Sequence, residues 1–390
     1  MTNKKIAFLV YDYTCVGGVE RVTSSLISLF KERGIKTDLL LSIFNNNQTP
    51  KFEIYKVIET QILKPTESFT FEDNLRMSLK DNQIDILIYQ GDNMTYSLKI
   101  QSVLKKSDCK GILQYHGSPY AYLKKRVHLS DVKQNPIFLF KKIWNIVQFP
   151  FKKHKLKQVL KGTNVFVCVS EGAINEIKGL YPKIYFSKNR LKVIHNLLTF
   201  DLIDYKRVSF KLKKNILIYV SRLERKHKNS MMVMKVWELL YSKFPNWELH
   251  ILGEGKLRNA MDIFVKSKKL ERCIFHGLVL DVGSHFKKSK IVLLTSDCEG
   301  LPTVLLEAVA HSNAIATTKS DGGVVDIVPT YEHGIKVKMN DAVKMAEELN
   351  NLILDEDTLE RNIIKSQENL KKEFNKEIIL NEWIFTLNEL

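Results

Sequence analysis

The sequence predicts an α/β protein of two domains, each built on a parallel β-sheet with helices on both faces. Three observations support this fold class. The chain has 390 residues, which is more than one ordinary hydrophobic core accommodates. Its apolar segments are short and continuous rather than alternating, as expected of strands buried on both faces. Amphipathic helical segments separate these strands, and the whole pattern occurs twice.

The first half supplies six candidate strands. A helical pattern over 19–34 follows the first of them, and further helical segments lie between the others. The predicted strands cover 5–11, 37–42, 84–90, 111–117, 165–170 and 191–196. The short N-terminal run IAFLVY ends at Asp12 without a cleavage-site pattern, so it reads as a buried strand rather than a signal peptide.

The second half repeats the pattern after a polar stretch at 201–213. Its predicted strands cover 214–222, 247–255, 273–277, 290–296 and 314–318. The sequence therefore predicts domains at 1–200 and 201–390. The chain ends in a helical segment at 372–390, and packing of this helix back onto the first domain is one option.

Composition limits the class of protein. Five scattered cysteines without a C-x-x-C pair favour a reducing cytosol and neither a disulfide framework nor a zinc site. Nowhere do 18 apolar residues follow one another, so no membrane-spanning segment is expected. Of the net charge of +17, most lies in 121–192, which holds sixteen Lys or Arg and three Asp or Glu. Such a basic segment suits nucleic acid or the anionic cytoplasmic leaflet.

Two carboxylates mark the end of the predicted strand 290–296. Glu299 lies in a loop with Gly300 and Pro302, and Glu307 follows eight positions later in a helix predicted to begin near Thr303. The amides of a helix start attract phosphate, and a carboxylate accepts hydrogen bonds from sugar hydroxyls. Acids near a helix start or on a helix face are also common without any ligand.

Two cations follow the first strand of the second half. Arg222 lies at the carboxyl end of that strand, and Lys228 lies near the next helix start. Together they could neutralise a diphosphate, with Arg222 offering a fork of donors and Lys228 a point charge. Lys226 is an alternative to Lys228, and a solvated basic loop is the alternative to any binding site.

In spacing and order these residues resemble the family 4 retaining glycosyltransferases of the GT-B type. The E-x7-E motif of that family matches Glu299 to Glu307, and its Arg–Lys pair matches Arg222 and Lys228. Shorter pieces also resemble the family: GGVER at 17–21, QYHG at 114–117, ILGEGKLR at 251–258, IFHG at 274–277 and SDGGVVDIV at 320–328. Two departures are Ser221, where the family has glycine, and Ser312-Asn313-Ala314, where it has Gly-x-Pro.

The resemblance implies two Rossmann-like domains that face each other across a cleft, with the acceptor on the first and a nucleotide-sugar on the second. It implies that Glu299 positions the donor sugar, Glu307 binds the ribose and His116 contacts the sugar or acceptor. The implied donor-binding residues further include Gly17, Gly18, Arg222, Lys228, Gly300, Leu301, Pro302 and Thr303. No metal or cofactor is implied, since Asp355-Glu356-Asp357 lies between C-terminal helices rather than after a buried strand.

The expected function is sugar transfer with retention, from a nucleotide-sugar, with UDP favoured, to a lipid-linked or polysaccharide acceptor in surface-glycan assembly. The segment 135–162 interleaves aromatics with lysines, which suits a helix lying on an anionic membrane surface. We therefore expect a cytoplasmic protein at the inner face of the membrane. Alternatives are a soluble transferase or phosphorylase of the same form, and more distantly a nucleic-acid-binding protein, for which no recognised motif is present.

Overall fold

The computed structural model describes residues 3–15, 17–45, 49–50, 52–91, 93–123, 137–183, 190–198, 210–225 and 227–390, with side chains from 143 onward in the segment that begins at 137. The chain divides into two compact units. Unit 1 comprises Met1–Thr199 and Lys376–Leu390, and unit 2 comprises Phe200–Asn375. The C-terminal unit therefore ends at Asn375 and not at residue 390, because the last helix belongs to unit 1.

Unit 1 contains a parallel sheet whose described strands have the order β3-β2-β1-β4-β5-β6-β7. The strands are β1 Ile6–Asp12, β2 Leu39–Phe44, β3 Glu59–Ile62, β4 Ile86–Gln90, β5 Lys110–Tyr115, β6 Val165–Cys168 and β7 Leu191–Val193. The helices are α1 Gly18–Glu32, α2 Glu53–Val57, α3 Phe71–Asp81, α4 Met94–Leu104, α5 Pro119–Leu123, α6 Ile137–Gly162 and α7 Glu171–Leu180, with α15 Lys376–Asn388 from the C-terminus.

Both faces of this sheet are buried, as the continuous apolar strands predict. Along β1, Ala7 and Leu9 join the core on one face, whereas Phe8 joins the core on the other. The last helix covers this second face. Trp383 of α15 is 1% exposed and lies edge-on to Phe30 of α1, with ring centroids 6.0 Å apart.

Unit 2 contains a second parallel sheet, with described strands in the order β10-β9-β8-β11-β13-β15. These strands are β8 Lys214–Val220, β9 Glu248–Leu252, β10 Cys273–Gly277, β11 Ser289–Leu294, β13 Ala314–Thr318 and β15 Ile335–Val337. The helices are α8 Met231–Leu240, α9 Arg258–Ser267, α10 Val282–Lys288, α11 Thr303–Ala310, α12 Val324–Ile327, α13 Ala342–Leu354 and α14 Glu356–Glu373; two 3-10 turns cover Phe210–Leu212 and Tyr331–His333.

Strand order identifies where a ligand fits best. In unit 2 the chain runs from β8 outward to β10, then returns to β11 beside β8 and continues to the other side. Ligands of such sheets bind beyond the carboxyl ends of the strands at this switch point. The loops after β8 and β11 carry the cations and carboxylates that the sequence singled out. In unit 1 the corresponding point lies between β1 and β4.

Several element predictions were wrong in detail. The last helix begins at Lys376 rather than at 372, since α14 runs to Glu373. The sequence did not predict β3, an edge strand with four half-buried or exposed residues, or the three-residue β15. The loop after β11 also contains a two-residue strand, β12 Cys298–Glu299, paired with β14 Asp321–Gly322.

No helix among the described residues has both the length and the apolar character needed to cross a bilayer.

Candidate active site

The loop after β8 is held in place by the neighbouring strand β9. The amide of Ser221 donates to Leu252 O at 3.0 Å, and the amide of Leu223 donates to Glu254 O at 2.9 Å. This close approach explains Gly253, since its φ is +127° and a Cβ there would lie 2.0 Å from Ser221 O. Arg222 is fixed at the start of this loop, where its side chain is 75% exposed and lies 3.4 Å from Glu224.

Lys228 lies in the same loop, three residues before α8. Its carbonyl accepts hydrogen bonds from the hydroxyls of Thr295, at 3.0 Å, and Tyr219, at 3.2 Å. Thr295 follows β11 directly, so the two loops at the switch point are bonded to each other. The amide of Asp297 adds a further bond to His227 O at 2.8 Å.

The structure brings Lys228 and Glu299 together. Nζ of Lys228 lies 2.7 Å from Oε1 of Glu299, and the two side chains are 22% and 11% exposed. Burial alone would lower the pKa of Lys228, but the charge and hydrogen bond of Glu299 outweigh it and hold this pKa above its usual value. The ammonium is therefore charged throughout the physiological range. Two partly buried opposite charges compensate each other here, because either one alone would be costly to bury.

Glu299 owes its position to Gly322. The short strands β12 and β14 pair Glu299 with Gly322, and the amide of Gly323 donates to Glu299 O at 3.3 Å. Gly322 has a φ of +89°, and a Cβ there would lie 1.7 Å from Glu299 O. A side chain at 322 would therefore displace the backbone that carries the carboxylate.

The helix start predicted near Thr303 is confirmed, since α11 spans Thr303–Ala310. Pro302 occupies the N-cap and its side chain makes no capping hydrogen bond, so the first amides of the helix do not donate to the N-cap side chain. Leu301 and Pro302 are buried, whereas Gly300 and Thr303 are half-buried. Glu307 is half-buried one turn into the helix, and its carbonyl accepts from the amide and ring of His311.

The structure explains the serines at 221 and 312, two positions at which the sequence departs from the family that it resembles. Ser312, two residues after the end of α11, has a φ of +57°, a conformation that glycine adopts with less strain. Its hydroxyl accepts a hydrogen bond from Gln367 at 3.0 Å. Ser221 contributes its backbone to the strand contact described above. Neither serine therefore replaces a group that would act on a ligand.

The remaining predicted residues lie in unit 1. Gly17 caps α1 and Gly18 is its first residue. A Cβ at Gly17 would lie 2.4 Å from Oε2 of Glu20, whereas a Cβ at Gly18 would meet nothing within 4 Å. Burial raises the pKa of Glu20, which lines a cavity of about 290 Å³ at the carboxyl ends of β1 and β4.

His116 follows β5 directly, as the sequence predicted. Its Nε2 donates to the side-chain oxygen of Gln90 at 2.5 Å, and Gln90 lines the same cavity. Enclosure of the ring lowers the pKa of His116 to about 4, so the imidazole is neutral at physiological pH. A neutral ring with one nitrogen bonded to an amide oxygen has a defined tautomer, which suits hydrogen bonding to a hydroxyl.

The sequence did not predict the pairing of Lys228 with Glu299 or the contact of Arg222 with Glu224. It also missed the anchor of the loop, since the hydroxyl of Ser230 accepts from the amide of Glu224 at 3.1 Å. The glycine pair in SDGG at 320–323 was the one available signal for the β12–β14 pairing. Lys226, the alternative to Lys228, lies outside the described residues, as do 135 and 136 of the basic-aromatic segment.

Comparison with known proteins identifies the class. The sequence model of glycosyltransferase family 4 matches residues 16–199, and that of glycosyl transferases group 1 matches residues 203–372. The two models between them span both halves of the chain. The chain belongs to these glycosyltransferases.

Individual relatives are distant. An uncharacterized glycosyltransferase of Haemophilus influenzae is 24% identical over 387 residues, which is 97% of this chain and 99% of that protein. The Campylobacter jejuni GalNAc-alpha-(1->4)-GalNAc-alpha-(1->3)-diNAcBac-PP-undecaprenol alpha-1,4-N-acetyl-D-galactosaminyltransferase is 28% identical over 218 residues, which is 55% of this chain and 59% of that protein.

Among solved structures, a mutant of Staphylococcus aureus TarM in complex with fondaparinux, alpha-GlcNAc-glycerol and UDP superimposes with a TM-score of 0.74. The identity is 12%, and the match covers 99% of this chain and 100% of that one. This likeness shows that the chain shares the GT-B fold, as the sequence predicted.

Proposed function

We propose that this glycosyltransferase transfers a sugar from UDP-sugar to a lipid-linked saccharide during cell-surface glycan assembly, with retention of configuration and without a metal ion. The observation that carries the proposal is the pairing of Lys228 with Glu299 at the switch point of unit 2, four residues before the start of α11. A nucleotide-sugar requires a cation and backbone amides for its diphosphate. It also requires an acceptor for its sugar hydroxyls.

The roles follow from charge. Arg222 and Lys228, with the amides of 300–303, bind the diphosphate, whose negative charge grows as the sugar leaves. Lys228 is paired with Glu299 in the structure. When the donor binds, the Lys228 side chain exchanges the Glu299 carboxylate for the phosphate oxygens as its ion-pair partner. Glu299 then accepts hydrogen bonds from the sugar hydroxyls, and Glu307 accepts from the ribose.

Unit 1 supplies the acceptor side of the proposal. The cavity beside Glu20 and Gln90 receives the acceptor, and the neutral ring of His116 contacts the sugar or the acceptor hydroxyl. Gly17 and Gly18 let the backbone at the start of α1 approach the substrates. The Campylobacter relative, whose name contains a diphospho-undecaprenol saccharide, and the UDP-bound TarM structure support the choice of substrates.

A donor panel tests this function. UDP-, GDP- and ADP-sugars are supplied one at a time, in buffer with EDTA, and both thermal shift and nucleotide release are measured. We expect a UDP-sugar to raise the melting temperature and to be hydrolysed or transferred in EDTA. Loss of all activity on chelation, restored by Mg²⁺ or Mn²⁺, would contradict the metal-independent mechanism. If none of the nucleotide-sugars binds, the donor assignment is wrong.

The helix α6 supports the membrane part of the proposal. Around the middle of the helix, Trp144, Val147 and Phe151 are 61%, 50% and 73% exposed, and their spacing of three and four residues places them on one face. In its second half Leu156 and Val159 are buried in the core of unit 1. The helix is thus anchored near its C-terminal end and presents large apolar side chains in its middle.

The exposed apolar face of α6 binds an anionic lipid surface. Lysines follow the exposed aromatics, and the whole segment 121–192 is strongly basic. Rings that enter the headgroup layer beside lysines that attract acidic lipids form an interfacial helix. The proposed location is accordingly the cytoplasmic face of the membrane.

Liposome flotation checks this surface. With vesicles of phosphatidylglycerol and phosphatidylcholine, we expect the Trp144→Ser/Phe151→Ser variant to bind roughly tenfold or more weakly than wild type, because two large apolar side chains no longer enter the lipid. Tyr331→Ser, which removes an exposed aromatic from unit 2, is the matched control. Equal flotation of all three proteins, or tight binding to nucleic acid in a gel shift without flotation, would refute the membrane assignment.

A further inference from the structure

Three histidines from separate elements converge on one face of the unit 2 sheet. His250 lies on β9, His276 on the adjacent strand β10, and His285 on α10. One ring nitrogen from each lies within 4.8 Å of the other two. The neighbouring residues Leu249 and Ile251 point into the opposite, apolar core, so this polar cluster is separate from it.

The hydrogen bonds around His250 orient it as a metal ligand. Its Nε2 lies 2.9 Å from Oε2 of Glu248, so the proton sits on Nε2 and the lone pair of Nδ1 faces His276. Nδ1 of His250 and Nε2 of His276 are 3.0 Å apart. A carboxylate that holds the far nitrogen of a histidine is the usual support of a metal-bound imidazole.

The third imidazole completes the set. The ring of His285 lies edge-on to that of His276, with centroids 4.7 Å apart. Ligand nitrogens at 2.0–2.1 Å from a tetrahedral metal are about 3.4 Å apart, so His285 would have to move by up to about 1.4 Å. All three rings are half-buried, which leaves a fourth position open to water.

We propose that His250, His276 and His285 bind a divalent transition metal ion, with Glu248 as the positioning residue for His250. Three imidazoles suit Zn²⁺, Ni²⁺ or Cu²⁺ rather than Mg²⁺ or Ca²⁺, which prefer oxygen ligands. The sequence predicted no metal site, because the three histidines are 26 and 9 positions apart and show no ligand spacing.

The ion would act on stability and not on sugar transfer. It would join β9, β10 and α10, and the bond from the Gly253 amide to Gly277 O, at 2.7 Å, already connects the ends of the two strands. The cluster contains none of the residues assigned to the donor. Metal binding is therefore expected to raise the melting temperature, while the sugar-transfer step continues in EDTA.

The test uses the full chain without a histidine tag, stripped with EDTA, dialysed and titrated with Zn²⁺ in a calorimeter. We expect one ion per chain and a rise in melting temperature on binding. His276→Gln and His285→Gln should each weaken binding at least tenfold, and Glu248→Gln should weaken it by roughly 10- to 100-fold. His333→Gln, which removes a histidine elsewhere in unit 2, is the control and should bind as wild type does.

A Co²⁺ titration separates this cluster from the thiols, because Cys298 also lies 3.1 Å from a ring nitrogen of His227. An all-nitrogen site gives a Co²⁺ spectrum without thiolate charge-transfer absorption. A thiolate band, or unchanged Zn²⁺ affinity in His276→Gln and His285→Gln that remain folded in EDTA, would overturn the proposal. Unchanged affinity in the histidine variants would leave the donor assignment untouched, whereas a thiolate band would place the ion at Cys298, next to Glu299.

Discussion

Lys228→Ala should lower the rate of sugar transfer on the order of 100-fold, since removal of one preoriented electrostatic donor from a charge-developing site has about this effect. The ammonium is fixed between two loops and stays charged because of Glu299. Arg222→Ala should lower the rate similarly. The two variants differ in stability: Arg222 is largely exposed, so its loss should leave the melting temperature unchanged. Loss of Lys228 leaves the Glu299 carboxylate without its cation, so Lys228→Ala should lower the melting temperature.

The rate measurement includes Lys344→Ala as a control, because Lys344 forms exposed ion pairs with Glu347 and Glu348 on α13. Its rate should equal that of wild type. Near-wild-type turnover in both Arg222→Ala and Lys228→Ala would contradict the diphosphate assignment. A loss confined to Lys226→Ala would transfer the role to that residue.

The second prediction separates the two glutamates. Glu307→Gln keeps the size and most of the hydrogen-bonding capacity of the side chain, so it should mainly weaken donor binding and raise KM. Glu299→Ala removes the acceptor for the sugar hydroxyls and should lower kcat more than nucleotide affinity. Steady-state kinetics with calorimetric affinities for UDP distinguish these effects.

A purely structural role for the two acids gives different results. Glu307→Gln would then lower the melting temperature and leave the donor KM unchanged, and Glu299→Ala would change stability through its ion pair with Lys228 without a specific effect on kcat. If neither variant changes affinity or rate, the spacing of Glu299 and Glu307 has no functional meaning.

The sequence predicted the fold class and the order of most elements because buried parallel strands are continuous apolar runs that helical segments separate. It missed β3 because the residues of that edge strand, Glu59–Ile62, are half-buried or exposed and carry no apolar signal. It missed β12 and β14 because two-residue strands are defined by pairing and not by composition.

The sequence proposed residues for the site but could not predict their contacts. Residues 228 and 299 are 71 positions apart, and their ion pair exists because the loops after β8 and β11 meet at the switch point. The same holds for the three histidines, which strand pairing and helix packing bring together. Local spacing predicts the chemistry of a loop, whereas long-range contacts require the fold.

The most direct test of the donor site is a calorimetric titration of UDP into the wild-type chain, the Arg222→Ala/Lys228→Ala variant and the Lys344→Ala control, all in EDTA. We expect one UDP site in wild type and control, and a UDP affinity reduced at least tenfold in the double variant. Equal UDP affinity in all three proteins, with the double variant shown to be folded, would contradict it.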